Sequence, residues 1–178
     1  MNDTQKIQAG ELAIAISRGF ADLPEVISWA DNQIAATDEP EILLIDLSLV
    51  QKNSDALHIL NSLSKGADIW LINSCFLKRF SSLKSLPIDE SLQLAKDLYL
   101  LSAYEEGTPS HFHNFISHWD AISLAADGIY GDPEECIREF LKDVRYAVDA
   151  GIGVNSAKID CKNKKPRPLS WPGSNSST

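Results

Sequence analysis

Three of the chain's four histidines fall within eight residues, at His111, His113 and His118. Clustered imidazoles are the natural place to look for acid–base or metal chemistry. On a helix started by Pro109, His111 and His118 share a face seven residues apart, while His113 projects elsewhere. Metal ligands carried on one helix stand three or four residues apart, as in HExxH, and that spacing is absent. Glu105, Glu106 and Asp120 join such a site only if the fold carries them there. The plainer expectation is that these histidines are surface or helix-start residues with no metal and no cofactor. The alternative is a helical metal-dependent or acid–base enzyme built on His111, His113, His118 and Asp120.

Other reactive groupings are equally incomplete. No G-x-S-x-G elbow and no phosphate-binding P-loop occurs. Cys136 lies in the first turn of a helix, where the dipole favours a thiolate, but the adjacent Glu134 and Glu135 oppose it. A half-buried structural cysteine is expected. The pairs Asp89-Glu90, Glu105-Glu106 and Glu134-Glu135 all stand at helix boundaries, and the first and last suit a helix N-terminus. A glycosidase needs two such acids opposed across a cleft at about 5–9.5 Å, which spacing alone does not provide. Cys75, Cys136 and Cys161 are odd in number and lack a CxxC, fitting reduced thiols in a cytoplasmic protein.

Charge is more informative than any motif. The formal net charge is −9, yet residues 157–178 hold five bases and one acid, leaving the body at −13 and the tail at +4. Such a body repels nucleic-acid phosphates and anionic lipid, and would speed encounter with a basic protein. The blander account is acidity for solubility alone. No apolar run approaches the ~20 residues of a membrane span, and Met1-Asn2-Asp3-Thr4-Gln5 is not the start of a signal peptide. Neither a nucleic-acid nor a membrane partner is expected.

The elements that would position these residues read as helices. Hydrophobic content of 44% and charged content of 23% support one globular domain over residues 1–152, with a flexible basic tail over 153–178. A first pattern covers residues 4–18, with Gly19 as its stop. Asp22-Leu23-Pro24-Glu25 starts a second helix, with Glu25 as the N3 partner of Asp22. Asp38-Glu39-Pro40 suggests a third start. The run Ile42-Leu43-Leu44-Ile45-Asp46-Leu47 is ambiguous, since a short apolar run suits a buried strand or a helix. An α/β alternative with a βαβ unit over residues 41–73 follows from it, but no further strand candidate exists to extend such a sheet. Further helices are expected over 54–65, 68–84 and 89–106, the last apolar far enough round to sit centrally. Trp29, Trp70 and Trp119 suit core or groove positions.

Thr108-Pro109 begins the next pattern, which runs to Asp127-Gly128, and Asp132-Pro133-Glu134-Glu135 begins the last. There Ile137, Phe140, Leu141, Val144 and Val148 make a single stripe. The expected fold class is all-α, with about eight antiparallel helices in an irregular bundle or short hairpin stack. In the tail, Lys162-Asn163-Lys164-Lys165-Pro166-Arg167-Pro168 could alternatively be an arm that folds back on the acidic body or touches nucleic acid.

In size, acidity, helical content and lack of catalytic motifs, residues 1–152 resemble the small helical immunity proteins of bacterial contact-dependent and polymorphic toxin systems. The resemblance implies a non-catalytic inhibitor that occludes a basic toxin domain. The candidate surface is then Glu105, Glu106, Asp120, Asp127, Asp132, Glu134, Glu135, Glu139 and Asp143. A third reading is a structural scaffold, such as a homodimer joined through exposed aromatic residues.

Overall fold

The computed structural model describes residues 1–104, 112 and 115–153. Among them are eight helices and no strand: α1 (Asp3–Ser17), α2 (Leu23–Ala35), α3 (Ile42–Ser48), α4 (Asn53–Leu63), α5 (Ile69–Leu77), α6 (Ile88–Tyr104), α7 (Phe115–Ala126) and α8 (Pro133–Gly153). The protein is all-α. The stretch 41–73, where a βαβ unit was the alternative, is α3, α4 and the start of α5. No described helix is long and apolar enough to cross a membrane. Residues 154–178 of the expected tail, Thr108-Pro109, His111 and His113 lie outside the described residues.

Two apolar cores share one helix. Leu12, Ile16, Trp29, Leu44, Leu47 and Leu60 close the first, between α1, α2, α3 and α4. Phe76, Phe80, Leu94, Phe115, Phe140 and Leu141 dominate the second, between α5, α6, α7 and α8. α1 packs on both α4 and α5, and its Ala15 belongs to the second core while Leu12 and Ile16 belong to the first. Every residue of α1 from Ala9 to Ala13 is buried, so α1 is the helix enclosed on all sides. α6, expected to be central, does pack on α7 and α8, but its Leu100 stays 43% exposed.

Close contact between α1 and α5 depends on Gly10. A β-carbon there would stand 2.5 Å from Ile72 Cδ1 and 2.9 Å from Cγ1, inside any van der Waals limit. Ile72 is buried and β-branched, so it has few rotamers into which to retreat. Gly10→Ala should therefore destabilise the fold by about 1–3 kcal/mol, although alanine is the better helix former. Ile72→Ala should cost less in the Gly10→Ala chain than in the parent chain, giving a non-additive double-mutant cycle in urea unfolding. Additive losses would show that the two side-chain positions do not compete for space.

Charge joins the same elements. Arg79, just after α5, pairs through Nε with Glu11 of α1 and through Nη2 with Glu25 of α2 at 2.8 Å. Its Nη1 also donates to the Phe20 carbonyl at 3.3 Å. Burial lowers the proton affinity of this guanidinium, but hydrogen bonds and charge from Glu11 and Glu25 outweigh that and leave it raised. The start of α2 follows half of the expected pattern. Asp22 accepts from the Glu25 amide at 2.8 Å, while the Glu25 side chain goes to Arg79 and does not close a capping box. α3 begins at Ile42 behind Glu41, two residues after Pro40, with no side-chain cap from Asp38.

Candidate protein-binding surface

The turn from α7 to α8 is held from both ends by backbone geometry. α7 ends in a Schellman arrangement, with Ile129 N–H donating to the Leu124 carbonyl at 2.9 Å and Gly128 N–H to Ala125 at 3.1 Å. Gly128 takes φ +69°, a left-handed conformation in which a β-carbon would be strained. α8 then starts on Asp132, whose Oδ1 accepts from the Glu134 amide at 2.7 Å and the Glu135 amide at 3.2 Å. In a Schellman cap the residue in the position of Ile129 often packs back on the helix. Here Ile129 is 68% exposed and the following Tyr130 77% exposed. Two large apolar side chains are thus presented outward by a turn with little freedom.

Four acids flank that pair along the chain. Asp127, Asp132, Glu134 and Glu135 are all exposed within three residues of Ile129 or five of Tyr130 along the chain. Further along α8 the acids are no longer alone. Glu139 meets Lys142 at 3.2 Å, and Arg138 is also exposed on that side. Asp143 turns into the α7–α8 interface, its Oδ2 2.8 Å from His118 Nε2. Asp120 is exposed on α7, and Glu105 and Glu106 lie outside the described residues. Of the seven candidate acids among the described residues, Asp120, Asp127, Asp132, Glu134 and Glu135 are exposed, while Glu139 pairs with Lys142 and Asp143 with His118.

Of the residues in the histidine reading, His118 and Asp120 are among the described residues, both on α7. His118 is mostly buried, bonded to Asp143 and packed against the rings of Phe115 (6.3 Å) and Phe140 (5.5 Å). It ties α7 to α8. Among the described residues no group of three or more His, Cys, Asp or Glu is arranged to hold a metal ion. A recess of about 270 Å³ lies between α1, α5 and α6, with Phe76, Leu98 and Leu101 in its walls. Its polar groups already engage protein partners: Arg18 pairs with Asp97, Gln93 donates to Asp97 at 3.1 Å, and Asn73 donates to the Ile69 carbonyl at 2.8 Å.

One exposed surface escaped the sequence reading. Of the apolar run that starts α3, Leu44 and Leu47 are buried, whereas Ile42 is 75% and Ile45 41% exposed, with Leu49 beyond them at 69%. The signal was present. Five apolar residues in a seven-residue helix cover more of its circumference than one buried stripe uses. Comparison with protein families, curated proteins and solved structures finds no match to this chain.

Proposed function

We propose that this chain is a non-catalytic binding protein that grips a basic partner protein through the α7–α8 turn. The specific form of this reading is an immunity protein that occludes a basic toxin domain. One observation carries it: Ile129 and Tyr130 stand exposed on a cap-locked turn, flanked along the chain by the exposed acids Asp127, Asp132, Glu134 and Glu135. Binding energy at protein interfaces concentrates in a few well-placed aromatic residues, with polar groups at the rim steering the approach. A rigid turn also lowers the entropy cost of ordering those side chains on binding.

The partner to test is the product of the neighbouring coding sequence, in particular a secreted protein's basic C-terminal domain. Calorimetric titration should give stoichiometric binding. Tyr130→Ala should weaken it by about thirtyfold, the range of a binding hot spot. Tyr130→Phe should keep most of the affinity. Full affinity in Tyr130→Ala, or in Glu134→Lys with Glu135→Lys, would place the contact elsewhere on the molecule.

A further inference from the structure

α3 carries an apolar strip where a surface helix is ordinarily polar. Ile42, Ile45 and Leu49 lie at i, i+3 and i+7, all exposed, with Leu43 on the flank at 37%. Exposed Asp46 borders the strip, and exposed Asp38 and Glu39 stand ahead of its first residue. Residues 19–51 contain seven acids and no Lys or Arg; Glu25 is paired with Arg79 and Glu41 with the N-terminal amine. A surface of this kind fits a segment that brings bases and large apolar side chains together.

A second copy of α3 fits it poorly. Two-fold pairing of the strips would set the two Asp46 side chains side by side across the axis. The chain's own sequence contains a better match. Residues 154–178 lie outside the described ones, and within them Lys162, Lys164, Lys165 and Arg167 are followed directly by Leu169 and Trp171. Lys162 is nine residues past Gly153 and Trp171 eighteen, lengths that extend to about 30 and 60 Å. A folded chain of this size is roughly 40 Å across.

We propose that residues 162–171 dock on the outer face of α3, with Leu169 and Trp171 over Ile42, Ile45 and Leu49 and the lysines beside Asp38, Glu39 and Asp46. The contact is intramolecular, and it does not depend on the partner proposed for the α7–α8 turn.

Zero-length carbodiimide coupling of the full chain tests it, because the reagent joins only an amine and a carboxylate that touch. Peptide mapping of the monomer should find Lys162, Lys164 or Lys165 joined to Asp38, Glu39 or Asp46. The yield should fall severalfold in high salt and in Leu49→Ser. Asp46 is exposed, so Asp46→Lys should fold normally while losing most of these links. Links that go chiefly to Asp127, Glu134 or Glu135, an even spread over exposed acids, or no links at all would each overturn the proposal. Links between isotopically labelled and unlabelled copies would also overturn it, by placing the segment on a neighbouring molecule.

Discussion

Phe140→Ala should remove about 3–5 kcal/mol from the unfolding free energy, the range for deleting a buried aromatic ring. Phe140 is fully buried on α8. Its ring stands edge-on to Phe115 of α7 at 6.0 Å and to His118 at 5.5 Å, so it fills the space that joins the two helices. Alanine leaves that space open, and the walls close only partly because α7 and α8 are also fixed by the His118–Asp143 contact at 2.8 Å. Against a total stability of roughly 5–15 kcal/mol for a domain of this kind, the loss is severe. Urea unfolding with an unchanged slope and a much lower midpoint is the expected readout. Phe140→Leu should lose markedly less. A loss below about 1 kcal/mol for alanine would mean that α7 and α8 do not pack as described.

Arg79→Ala should lose about 2–4 kcal/mol. Breaking a buried ion pair by removing one partner costs about 3–5 kcal/mol, because the remaining charge stays buried without compensation. That figure is reduced here because the Arg79 and Glu25 side chains keep 22% and 21% of their surface, though Glu11 keeps only 11%. Three segments separate when the guanidinium goes, since Glu11 is 68 residues away in sequence and Glu25 is 54. Glu11→Gln placed in the Arg79→Ala chain should recover part of the loss by removing a buried charge that Arg79 no longer offsets. The pH dependence has a definite sign. Arg79 has its folded-state affinity for the proton raised, so its contribution is complete below the unfolded-state pKa and lost only as pH rises through the folded one. Both lie above the working range, and the Arg79 contribution should stay constant from neutrality to about pH 11. If removing Arg79 costs less than about 0.5 kcal/mol, the triad is a surface ion pair and not a tie between helices.

Local signals carried much of the fold. Asp132 at a cap, Pro133 at the first helical position and the stripe from Ile137 to Val148 are interactions within one or two turns, and α8 forms as they require. Tertiary choices were less legible. Glu25 had a local use as a capping partner and a distant one as a ligand of Arg79, and the distant one prevails. Asp38 likewise offered a helix start, but α3 begins only after Glu41. In residues 42–47 the apolar count concealed how many side chains would find a neighbour, because that depends on how α2 and α4 lie against α3.

The candidate surface was legible as acidic and not as a shape. Composition placed acids at 127, 132, 134, 135, 139 and 143, but which are left to face outward depends on Lys142 and His118 taking Glu139 and Asp143. Ile129 and Tyr130 read as a connection between helices. Their exposure follows from the two caps that fix the turn, and the hydrophobic contact that often accompanies a Schellman cap does not cover Ile129.

The most direct measurement of partner capture is the association rate, followed by stopped flow, as ionic strength is raised. With the neighbouring gene's basic domain, an acid-rimmed turn should associate rapidly in low salt and slow by tenfold or more by physiological strength, as electrostatic steering requires. In Glu134→Lys with Glu135→Lys the rate should begin lower and vary little with salt. A wild-type rate indifferent to salt, or a steep dependence that survives the double reversal, would contradict capture by this surface.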